Sequence, residues 1–206
     1  MRPRAQLTSP VRVCLLFRRH AARVTGTFLG KFKSGELAPE VAARLARETA
    51  AAIPYLTLAD ATRAPATRAW IEAVAPLARG ESPHLLIVID SLHSWTEAQE
   101  TGANEYEALG HGMAALRAIA GELNCAILAI CERNRASAGK GGLSASAGSR
   151  KAEYGSETVI SLISEDRTPL GLTPITLKLE KNRNGAPGRT FELVFDGPIQ
   201  TFREGR

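Results

Sequence analysis

Apolar runs alternate with amphipathic stretches along this 206-residue chain. Leu85-Leu86-Ile87-Val88-Ile89 is a continuous apolar run closed by Asp90. Such a run predicts a strand buried on both faces of a parallel sheet. Ala126 to Cys131 and Thr158 to Ile163 predict two more buried strands, and Tyr55 to Leu58 a short one. Helical stretches separate them. Pro39 suits a first helical position, and the alanine-rich sequence to Ala52 favours helix until Pro54. Pro65 opens the next helix, with Trp70, Ile71, Val74 and Leu77 on one face and Gly80 as its stop. Asn104 is an N-cap with Glu107 three residues on, and Tyr106, Leu109, Met113, Leu116, Ile119 and Leu123 form a stripe at helical spacing. Asn124 closes that helix.

The remaining segments are less patterned. Residues 1–10 carry two prolines and no periodicity, which predicts a loose leader. Residues 11–29 fit strand or helix. Lys31 to Leu37 and Ser91 to Gly102 predict loops, and residues 136–149, nearly all Gly, Ala and Ser, a mobile one. Ile175 to Lys181 and Thr190 to Phe195, with Asn184-Gly185 between them, predict a terminal β-hairpin. The expected fold class is α/β: a mostly parallel sheet flanked by helices, followed by a C-terminal antiparallel hairpin.

Composition narrows the function classes. An apolar content of 44% is that of a globular chain, and the net charge of +5 admits an anionic partner or merely a basic surface. Cys14, Cys125 and Cys131 form no C-x-x-C pair and read as thiols in a reducing compartment, hence a cytoplasmic setting. No apolar run approaches the ~20 residues of a membrane span. The histidines, His20, His84, His93 and His111, show no metal-ligand spacing.

Four places can carry chemistry. Asp90 ends its strand where open α/β sheets bind ligands, and a carboxylate there can hold Mg²⁺ beside nucleotide phosphates. An isolated run ending in Asp is also a common structural strand end. Glu132 follows the next strand and can face the same crevice or serve as a salt-bridged strand end. Lys181 and Arg183, two apart on an extended segment, can grip a triphosphate or lie solvated at a hairpin end. Lys140, Arg150 and Lys151 in and beside the Gly/Ala/Ser loop can track a phosphate backbone. Gly26 to Lys31 is one residue short of a P-loop, with Phe32 in place of the Ser or Thr, and no G-x-x-x-x-G-K-[ST] occurs anywhere in the sequence.

Taken together, these segments resemble the C-terminal motor domain of DnaB-type replicative helicases, which are RecA-like ATPases. The likeness runs over roughly residues 15–203. It rests most on Lys181-Asn182-Arg183-Asn184-Gly185-Ala186-Pro187-Gly188 with Phe191-Glu192-Leu193 and Phe202, and on Gly148-Ser149-Arg150-Lys151-Ala152-Glu153-Tyr154. The resemblance implies ATP and Mg²⁺ as cofactors, single-stranded DNA as substrate and a ring of subunits. It implies Asp90 as the Walker B carboxylate, Arg183 as an arginine finger and Lys181 as its companion, both acting on a neighbour's ATP. It implies that the loop near 136–149 lines a DNA channel. Glu132 stands where the family usually has Gln. The family's P-loop strand and the next strand, which bears the catalytic Glu, would lie before residue 15. The expectation is therefore a leader over 1–14 and a partial RecA-like motor domain over 15–206, N-terminally truncated or degenerate, with little ATP turnover alone. A non-catalytic module that binds DNA or lends Arg183 and Lys181 to an intact partner is the other reading, and a gene fragment a third.

Overall fold

The computed structural model describes residues 4–8, 13–61, 65–99, 104–131, 155–166, 168 and 171–205. In chain order the elements are β1 (Arg4–Thr8), α1 (Val13–Thr25), α2 (Leu29–Ser34), α3 (Pro39–Ala52), β2 (Leu56–Asp60), α4 (Arg68–Arg79), β3 (Leu86–Asp90), α5 (Leu92–Glu97), α6 (Glu105–Glu122), β4 (Ala126–Ile130), β5 (Thr158–Ser164), β6 (Leu172–Asn182), β7 (Thr190–Asp196) and β8 (Thr201–Glu204). The chain forms two units, Met1–Val13 with Tyr55–Ser156, and Cys14–Pro54 with Glu157–Arg206.

The first unit is built on a parallel four-stranded sheet in the order β2-β1-β3-β4. Parallel neighbours need crossover connections, and α4, α5 and α6 supply those leading into β3 and β4. Ile87 and Ile89 alternate onto one face of β3 and are almost fully buried. They meet Ile71 and Ala75 of α4, Leu92 and Trp95 of α5, and Leu109, Leu116 and Ile119 of α6 in one core. Asn104 caps α6 as expected, its side-chain oxygen accepting from the Glu107 N–H at 3.0 Å. Asn124 takes the positive φ (45°) just past the helix end. There Arg79 donates to the Leu123 carbonyl, which ties α4 to the C-terminus of α6 with a cation where the helix dipole favours one.

Four expectations are corrected in this unit. Residues 4–8 of the supposed leader form β1, a central strand paired on both sides. Arg-Ala-Gln-Leu-Thr has little strand propensity of its own, and its order comes from its two neighbours. The helix after Pro65 starts at Arg68, because Thr67 is the true N-cap and accepts from the Trp70 N–H. Its buried face runs through Ile71 and Ala75, leaving Trp70 partly exposed and Leu77 81% exposed. The segment after Asp90 is a short helix, α5, capped by Ser91. Finally, β4 is an edge strand. Leu128 is 48% and Ile130 40% exposed, so this strand is not buried on both faces.

In the second unit α1 resolves the ambiguity at residues 11–29 in favour of helix, burying Leu16, Ala21 and Ala22. The expected loop at 31–37 is half helical, since α2 ends at Gly35, whose φ of 78° glycine adopts without penalty. Helix α3 spans Pro39–Ala52 as expected. The sheet here is antiparallel, four-stranded and ordered β5-β6-β7-β8. The predicted hairpin is β6–β7. It is extended on one side by β5 and on the other by β8, where Phe195 and Phe202 stack at 4.7 Å between ring centroids. Strand β5 is thus an edge of this sheet and not a third buried parallel strand, with Ile160 and Leu162 50% and 59% exposed. No helix among the described residues is long and apolar enough to cross a membrane.

Candidate functional site

Asp90 is the last residue of β3, and β3 lies between β1 and β4. In register its neighbours are Thr8 on β1 and Ile130 on β4. The carboxylate therefore stands at the carboxyl edge of a parallel sheet, the edge at which open α/β folds hold ligands. Asp90 is half-buried, and no hydrogen bond or ion pair to its carboxylate occurs among the described residues. The chain turns directly into α5 through a cis Asp90–Ser91 peptide. The Ser91 hydroxyl accepts from the Ser94 N–H and lies 3.3 Å from the Ser94 hydroxyl, so it is spent on capping. That local wiring fixes the strand end without occupying the acid.

The chemistry of this donor set suits Mg²⁺. Among the described residues no three His, Cys, Asp or Glu converge on a metal position. A single carboxylate completed by phosphate oxygens and water is the usual coordination of Mg²⁺ in nucleotide sites, whereas zinc or calcium require several protein ligands. A phosphate cradle is a different matter. Gly26 to Lys31 lies between two helices and follows no strand, so it lacks the strand–loop–helix context of a P-loop. Strand β1 occupies the region before residue 15 where the resemblance left no strand, which corrects that expectation. Its residues, Arg4 to Thr8, include no carboxylate.

Lys181 and Arg183 sit where β6 runs into the turn leading to β7. The turn is held at several points. The Asn182 side-chain oxygen accepts from the Asn184 N–H at 3.1 Å, and the Gly188 N–H donates to the Leu179 carbonyl at 2.7 Å. The Arg183 N–H donates to the Glu157 carbonyl at 3.0 Å, and its guanidinium pairs with the Glu157 carboxylate at 2.7 Å. Both partners are exposed, so this pair contributes about 0–1 kcal/mol to stability. Glu157 escaped the sequence reading because it lies 26 residues from Arg183, and only the β5–β6 pairing brings them together. That pairing also corrects one expectation. Strand β6 neighbours β5 and β7, so Lys181 does not end a strand adjacent to β3. Glu132, Lys140, Arg150 and Lys151 lie outside the described residues.

A cavity of about 270 Å³ in the second unit is lined by Phe17, Arg18, Lys31 and Phe32 among others. It includes none of the residues singled out above.

No family model and no curated protein matches the sequence. Solved structures do match the fold. A helicase ATPase domain superposes with a TM-score of 0.82 at 15% identity, over 100% of this chain and 75% of that one. A DnaB-like replicative helicase, solved in a study of its interactions with primase, gives 0.78 at 16% identity, over 97% of this chain and 51% of the other. The RadB recombinase gives 0.55 at 17% identity, over 100% and 80%. The chain thus has the RecA-like α/β fold of DnaB-type helicase ATPase domains.

Proposed function

We propose that this chain is part of an ATP-driven motor that translocates on single-stranded DNA as one subunit of a ring. The observation that carries the proposal is Asp90: a half-buried acid, with no partner among the described residues, at the carboxyl edge of a parallel sheet. The helicase-type fold supports the same reading. When bound, Mg²⁺ would neutralise charge on the nucleotide phosphates. Asp90 would hold that cation, directly or through water. Arg183 and Lys181 would present their charges to the nucleotide of a neighbouring subunit, as the helicase resemblance implies. Glu132 would be a further polar contact near the phosphates. Lys140, Arg150 and Lys151 would track the DNA backbone.

This reading makes the isolated chain a poor ATPase. It has no G-x-x-x-x-G-K-[ST] to cradle phosphates and no carboxylate on β1. The same two observations favour a second reading, in which the chain is a RecA-like module without turnover of its own that serves an intact partner. DNA binding tests both. Affinity for single-stranded DNA should fall with salt. Replacing Lys140, Arg150 and Lys151 by Ala should flatten that dependence by about 0.7 for each phosphate no longer neutralised. An unchanged slope would remove these three residues from the DNA path.

A further inference from the structure

Each sheet has one guarded edge and one unguarded edge. In the parallel sheet the β2 edge carries Asp60 and an exposed Thr57. The β4 edge is Ala-Ile-Leu-Ala-Ile, with no charge, no proline and no glycine, and Leu128 and Ile130 stand half exposed beside it. In the antiparallel sheet the β8 edge is short and bears Arg203, ion-paired to Asp196, and Glu204. The β5 edge is the uncharged Thr-Val-Ile-Ser-Leu-Ile-Ser. Natural edges are blunted by charge, proline or brevity, because an open apolar edge is a template for another strand. An all-apolar strand in a parallel sheet is one whose neighbours on both sides cover it. Among the described residues β4 has one neighbour, β3.

We propose that the free edge of β4 accepts one further parallel strand from a second polypeptide, an apolar strand that runs into a glycine-rich, lysine-bearing phosphate loop and a helix. The inference rests on the reading of Asp90 given above and names the partner that reading needs. Two observations select this occupant. All four strands of the sheet are parallel, so a strand added in the same sense ends at the edge that holds Asp90. It would end about 10 Å from β3, two strand spacings away, within reach of a short loop. The second is charge. Asp90 is half-buried with no cation among the described residues, and a lysine-bearing loop with Mg²⁺-bound phosphates supplies positive charge there. Main-chain hydrogen bonds would give the affinity, and the contacts with Leu128 and Ile130 the register.

The test uses the full 206-residue chain and a recombinant fragment made of an apolar strand, G-x-x-x-x-G-K-T and its following helix. Light scattering reads the complex, and a fluorescent ATP analogue with Mg²⁺ reads the site. A one-to-one complex is expected, and Leu128→Lys and Ile130→Lys should each weaken it about tenfold or more. Both positions are already half exposed, so the chain's own melting temperature should hold. Asp90→Asn should leave the complex intact and remove the Mg²⁺ dependence of nucleotide binding. A complex that forms but binds no Mg²⁺-nucleotide supports the strand acceptor and overturns the role of Asp90. Absence of a complex, or one indifferent to both lysine substitutions, overturns the proposal. So does a dimer of the chain alone that Leu128→Lys abolishes, since the occupant would then be a second copy.

Discussion

The three cysteines show how little a residue type says without its surroundings. Burial pushes the thiols of both Cys125 and Cys131 up from their ordinary range. For Cys125 the nearby Arg79 partly offsets this, because a cation favours the thiolate. Cys131 is exposed as a residue while its thiol is substantially desolvated. The thiolate is the reactive form, so a raised pKa means less of it at a given pH. Both cysteines should therefore alkylate more slowly than a free thiol near pH 8, with the deficit closing as pH rises through the raised pKa. Site-resolved mass spectrometry of iodoacetamide labelling checks this. Rates equal to those of a free thiol at about pH 8 would place the sulfurs in water. Asp90 is the residue-scale counterpart: its place at the end of an apolar run was readable, whereas the lack of a partner for its carboxylate needed the fold.

At the scale of elements, α5 and α6 show why packing overrides pattern. Gly112 on α6 faces α5 so closely that an added Cβ would come 2.2 Å from the Thr96 methyl carbon and 3.4 Å from the Trp95 ring. Gly112→Ala should destabilise the protein by about 1–3 kcal/mol despite alanine's better helix propensity. Urea unfolding measures it, and a midpoint equal to or above that of the wild type would show that α5 gives way freely. Helix α6 and strand β3 were readable because each buries a face through a regular repeat, Leu109-Leu116-Ile119 in one and Ile87-Ile89 in the other. The pattern misled at α4, where small Ala75 lies in the interface and large Leu77 outside it. Close helix packing favours small side chains at the contact, and size alone is a poor guide to the buried face. It failed at β1, whose order is supplied by β2 and β3, and at α5, a helix too short to show a period. The β6–β7 hairpin was legible from its alternation. Its extension by β5 was not, because Thr158 to Ser164 carries the apolar pattern of a buried strand while forming an edge.

At the scale of the whole molecule the account makes this chain a motor part that works in company. Its fold is that of helicase ATPase domains, Asp90 is its candidate metal carboxylate, and Arg183 is its candidate gift to a neighbour. Removing Arg183 should hardly affect folding, because its exposed pair with Glu157 contributes little. A cation of this kind contributes about 10³–10⁵ to rate in phosphoryl-transfer enzymes, so the two effects separate cleanly. The most direct measurement is ATP turnover in mixed assemblies of this chain with an intact DnaB-like subunit that carries a P-loop. Wild-type chain should raise turnover above that seen with Arg183→Ala, and Arg183→Lys should recover little, since a point charge does not reproduce the planar guanidinium. Equal turnover from wild type and Arg183→Ala, in assemblies shown to contain both proteins, would contradict the account.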